Sequence, residues 1–65
     1  MRDPKIDPRP GDVLLKGYFS RDVRQVDSSF VWAGEHHREV FIRTVMPYLG
    51  QWRKWAKNAE VIHES

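Results

Sequence analysis

At 65 residues, with 40% hydrophobic and 12% aromatic side chains, the chain has room for one small domain whose core must come from large side chains. It holds no cysteine, which excludes a disulfide framework and a thiolate metal site, and its +2 charge from 11 basic and 9 acidic residues is too near neutral to dictate a partner. No apolar run approaches the roughly 18 residues of a membrane span, and no signal-peptide stretch opens the sequence, so a soluble cytoplasmic protein without membrane contact is expected.

Residues 1–11, MRDPKIDPRPG, carry Pro4, Pro8 and Pro10, each of which fixes its own φ and steers the residue before it away from the helical region. An extended N-terminal arm is expected there, with residues 12–65 as the domain. Pro10-Gly11-Asp12 is turn chemistry ahead of the apolar Val13-Leu14-Leu15, which predicts a first strand over about 12–16, ended by a bend at Gly17. After Tyr18-Phe19, the polar Ser20-Arg21-Asp22 reads as a turn and Val23-Arg24-Gln25-Val26 as a second strand. A third strand begins at Ser29, with Phe30 and Trp32 on one face by the period of two, and Gly34-Glu35-His36-His37 reads as the next turn. A fourth strand follows over Glu39–Thr44.

Beyond Pro47 the apolar period changes from two to 3.6. At 100° per residue, Tyr48, Leu49, Trp52, Trp55, Ala56 and Ala59 fall within an arc of about 120°, the width of a core-facing stripe, while Arg53, Lys54 and Lys57 lie outside it. A helix over about 47–58 is predicted, packing Tyr48, Leu49, Trp52 and Trp55 inward with a solvated basic back. Asn58 can help end it, and Glu60-Val61-Ile62-His63 reads as a closing strand. The expected class is mainly β, a small α+β domain: an SH3-like antiparallel barrel with one short amphipathic helix before the last strand. An open meander of three or four strands with the helix across one face is the competing architecture.

IDPRPGDVL near the start, and Trp52, Trp55, Ala56, Ala59, Glu60 and Val61 in the pattern WxxWAxxAEV near the end, resemble short uncharacterised proteins of tailed bacteriophages and prophages. The likeness covers both ends and leaves residues 17–46 unmatched. It implies a small β-barrel with a helix before its last strand and a phage-derived gene expressed in a bacterial cytoplasm. No residue role comes with it.

Motifs for catalysis are wanting. Asp3, Asp7 and Asp12 are spaced along a proline-rich arm that offers no fixed carboxylate pair, and Ser28-Ser29 lies in no nucleophile elbow. The glycines are isolated, so no phosphate-cradling loop is present. His36 and His37 are adjacent and would point apart, which suits solvated turn residues better than metal ligands. The expectation is a protein that is not an enzyme and uses no cofactor or metal.

Two binding surfaces are legible. Tyr18, Phe19, Phe41 and Val45 exceed what so small a core can bury, so part of this apolar surface should remain for a host or phage protein, or for a second copy of the chain. Arg53, Lys54 and Lys57 on the helix back, with Arg24, Arg38 and Arg43 on the strands, offer the alternative of a nucleic-acid-binding barrel. Protein binding is the leading expectation, because three cations are an ordinary number for the exposed side of a helix.

Overall fold

The computed structural model describes residues 2–65, which form β1 (Val13–Lys16), β2 (Phe19–Val26), β3 (Val31–His37), β4 (Val40–Val45), α1 (Leu49–Ala56) and β5 (Glu60–His63). The five strands make one antiparallel sheet in the order β4-β3-β2-β1-β5. The class is therefore mainly β with one short helix before the last strand. Three consecutive hairpins and a final strand returned beside the first are compatible with an SH3-like barrel, while β4 and β5 stand as the two edges of the ladder.

The helix makes that return possible, since it carries the chain from one edge of the sheet to the other. Its stripe buries Trp52 and Ala56 completely against Leu14, Val31 and Ala33, with Val23 and Ala59 closing the core. Leu49 and Trp55 pack on its margin, but Tyr48 does not join them: it is 57% exposed. The helix also starts later than expected, because Tyr48 is an extended N-cap whose N–H is met by the Gln51 side chain at 3.0 Å. The Pro47 carbonyl, one residue earlier, is instead drawn to the Val31 N–H at 3.0 Å. Trp32 lies outside the core as well, and its ring meets Phe30 at 5.8 Å, as the shared face of those two residues predicts.

Gly50 sits in the first turn of α1, where an added Cβ would meet nothing within 4 Å. Its flexibility therefore serves no packing need. Gly50→Ala is expected to raise stability by about 0.5–1 kcal/mol, read as a shift of the urea midpoint at constant slope.

Two segments expected to turn are strand. Ser20-Arg21-Asp22 lies inside β2, and Gly34-Glu35-His36-His37 is the second half of β3. Polar composition misleads here because charged groups find partners across the ladder: Arg21 stands opposite Glu35, and Asp22 reaches His36 on the neighbouring strand. The real turns are Gly17-Tyr18 and Arg38-Glu39, and Gly17 takes φ +64 in the first of them.

The N-terminal segment is folded back on the domain and is not the extended arm that its prolines suggest. A turn at Pro4–Ile6 is closed by the Asp7 N–H on the Asp3 carbonyl at 2.7 Å, and Pro4 and Pro8 are buried. The Trp52 indole N–H donates to the Pro4 carbonyl at 3.1 Å, and the Arg53 Nε–H to that of Ile6 at 2.9 Å. Asp12 locks the arrangement. Its carboxylate is fully buried and accepts from both terminal nitrogens of Arg2, from the Arg9 N–H at 2.8 Å and from the Ser65 N–H at 2.9 Å. One side chain thus ties the N-terminal segment, the start of β1 and the C-terminus together.

Candidate functional site

Residues directly opposite one another in an antiparallel ladder share a face, so the core positions Val23 and Ala33 identify the inner side of the sheet. Two and then four residues along, that same side carries Arg21 and Phe19 on β2 and Glu35 and His37 on β3, with Arg43 opposite Glu35 on β4. The outer side carries Asp22, Gly34 and His36. The helix covers the inner face over the hydrophobic cluster, and beyond Trp55 the face becomes polar.

There Glu35 is held from two sides. Arg21 Nε–H donates to its Oε2 at 3.0 Å and Arg43 Nε–H to its Oε1 at 3.0 Å. Burial pushes the carboxyl up, but these two guanidinium bonds outweigh it and hold Glu35 below the usual carboxylate range. Arg21 is itself only 12% exposed, and its guanidinium lies 4.2 Å from the centre of the Trp55 ring. Lys16 approaches the same ring and donates to the Trp55 carbonyl at 3.3 Å. Lys16, Phe19, Glu35, Arg43 and Trp55 enclose an open cavity of about 390 Å³.

Next to this cavity the two hairpin tips are joined, because the Arg38 N–H donates to the Tyr18 carbonyl at 2.7 Å. The Arg38 guanidinium lies over the Tyr18 ring at 4.6 Å, and His37 meets Phe19 edge-on at 5.0 Å. Arg38 takes φ 58, a left-handed backbone that a side chain adopts at a cost of about 1–2 kcal/mol.

The third feature is the outer edge of β4. Val40, Phe41 and Ile42 are 67%, 49% and 46% exposed, and among the described residues no strand pairs with that edge. A bulge in the β3–β4 ladder falls here, leaving Ile42 without a direct partner. On the outer face Phe41 packs edge-on against His36 at 5.5 Å, and Arg24 lies 5.4 Å above its ring. Arg24 and His36 both bond Asp22, at 3.2 and 2.9 Å, and the cluster fits because Gly34 beneath has no Cβ: one built there would stand 2.5 Å from the Arg24 guanidinium. His36 is thus a strand residue paired with a carboxylate, not a solvated turn residue.

The predicted surfaces are only partly assembled. Tyr18 and Phe19 meet at His37, whereas Phe41 lies on the opposite face of the sheet and Val45 packs on the core margin. The six cations are dispersed: Arg24 and Arg43 are paired with carboxylates, Arg38 stacks on Tyr18, Arg53 binds the Ile6 carbonyl, and Lys54 and Lys57 are exposed at the back of the helix. Reading by sequence misses Arg21 and Glu35, yet continuing the alternation of Val23 and Ala33 by two residues would have placed both on the inner face with Arg43. Among the described residues, no group of three His, Asp or Glu side chains is arranged to hold a metal ion, and no helix is long and apolar enough to cross a membrane.

Comparison of the chain with protein-family models, curated proteins and solved structures finds no match, so these surfaces alone carry the functional reading.

Proposed function

We propose that this chain is a non-catalytic binding protein that recognises another protein by accepting an extended segment along the free edge of β4. The supporting observation is the run Val40-Phe41-Ile42: three large apolar side chains, each near half exposed or more, on an unpaired edge strand. Exposed edges are commonly blunted by lysine, proline or a covering loop, because their free N–H and C=O groups recruit further strands. On β4 the only charged side chain is Arg43, and it is bonded inward to Glu35. Main-chain pairing would supply affinity, and the alternating side chains would supply selectivity. A phage or bacterial host protein, or a second copy of the chain, suits such an edge, in the setting that the resemblance implies.

The test compares two baits in bacterial extract, the wild-type chain and V40K/I42K. Both positions are exposed, so the double variant should keep its stability within about 0.5 kcal/mol per site while losing the bound protein. Equal retention by both baits would contradict the proposal.

A second reading rests on the exposed Tyr18–Arg38 pair, a π-face beside a cation at the hairpin tips. It requires DNA or RNA binding that weakens steeply with salt and depends on Arg38, Lys54 and Lys57. Survival of binding in moderate salt, with dependence on Val40 and Ile42, favours the protein partner.

A further inference from the structure

We infer that the cavity between Trp55 and the polar end of the sheet is a binding site for a carboxylate carried next to a flat apolar group. The inference stands apart from the β4 edge and rests on the composition of the cavity. Lys16 and Arg43 line it together with one carboxylate, that of Glu35, and Arg21 bonds that carboxylate while lying on the Trp55 ring, so the three cations leave two positive charges in surplus over Glu35.

The cations are also prearranged. Arg21 is clamped between Glu35 at 3.0 Å and the Trp55 ring at 4.2 Å, which leaves it little freedom to lose when a ligand arrives. Arg43 uses one Nε–H on Glu35, and its side chain is 66% exposed, so its other donors are open to an incoming oxyanion. Lys16 supplies a second donor from β1, on the opposite side of the inner face.

The remaining walls are apolar and aromatic. Trp55 and the exposed ring of Phe19 leave a volume of about 390 Å³ between them, within the range of small-ligand sites. As a purely structural ion pair Arg43–Glu35 would gain little, because the Arg43 side chain is 66% exposed and solvent screens it. Its effect on a ligand is larger. The carboxylate of Glu35 fixes the guanidinium planes, and the cationic surplus remains for the anion.

Two sources present this chemistry, a free aryl-substituted carboxylic acid and the C-terminal aromatic residue of a peptide. The experiment follows the side-chain N–H signals of Trp55, Arg21 and Arg43 in the labelled 65-residue chain at constant ionic strength. N-acetyl-phenylalanine should shift them saturably, and its neutral amide should bind at least about tenfold more weakly, since the charge-assisted bonds are lost. Lys16→Gln and Arg43→Gln should each weaken the acid by about fivefold or more with the amide spectrum otherwise dispersed, which separates loss of the site from loss of the fold. A short peptide ending in phenylalanine that binds more tightly than the acetylated residue identifies a protein C-terminus as the source; equal affinity identifies a small acid. No saturable shift at Trp55, equal binding of acid and amide, or an equal response to inorganic phosphate alone would overturn the inference.

Discussion

Trp52→Ala is expected to leave the chain without a cooperative melting transition above room temperature and with collapsed amide dispersion. Trp52 is the largest of the fully buried side chains, stands 5.5 Å from Trp55 ring to ring, and holds the N-terminal segment through its bond to the Pro4 carbonyl. Truncating a buried tryptophan costs about 3–5 kcal/mol, against a total stability of about 3–10 kcal/mol for a domain of this length. Trp52→Phe separates the two contributions, because it retains most of the volume and loses the hydrogen bond. It should remain folded with a lower urea midpoint. A Trp52→Ala chain that melts at the wild-type temperature would contradict the placement of α1 against the sheet.

The second large effect is expected at Asp12 and in its dependence on acid. Burial pushes this carboxyl up, but the bonds from Arg2 and from the Ser65 and Arg9 amides outweigh it and bring the value from 3.8 down to about 2. A group whose value is depressed by folding binds its proton more readily in the unfolded chain, so its stabilisation is complete above about 3.8 and disappears as the pH falls to about 2. The loss amounts to about 2 kcal/mol for a shift of this size. Glu35 is shifted in the same direction and deepens the acid sensitivity. Asp12→Asn should therefore be less stable than the wild type at pH 7 and approach it near pH 2, as measured by urea unfolding across that range. Asp12→Ala should cost more at neutral pH, about 3 kcal/mol, since Arg2 and two amide N–H groups lose their acceptor. A constant gap between wild type and Asp12→Asn from pH 7 to pH 2 would contradict the buried ionised carboxylate.

Much of the framework was legible where side-chain periodicity was strong. The change of period after Pro47 located the helix, and the aliphatic runs located β1 and β4. The misread turns share one cause. Ser20-Arg21-Asp22 and Gly34-Glu35-His36-His37 look like turns because polar residues are poor isolated strand formers, but across the ladder Arg21 answers Glu35 and Asp22 answers His36. Such pairing joins residues 14 positions apart and leaves no mark in a local window. Asp12 was hidden for the same reason, since its partners include Arg2, ten positions before it, and Ser65, 53 positions after it. The aromatic surplus was foreseen correctly in kind, and its distribution was not: Tyr48, Tyr18, Phe19 and Phe41 are all exposed, at three different places in the fold.

That distribution puts the weight of the account on the β4 edge, and amide hydrogen exchange tests it most directly. The labelled chain is incubated with bacterial extract, recovered with its bound protein, and compared residue by residue with the chain alone. Strand addition predicts slowed exchange confined to the β4 amides that face away from β3, within Val40–Val45. Unchanged exchange along β4, with protection appearing instead around Lys54 and Lys57 at the back of the helix, would contradict it.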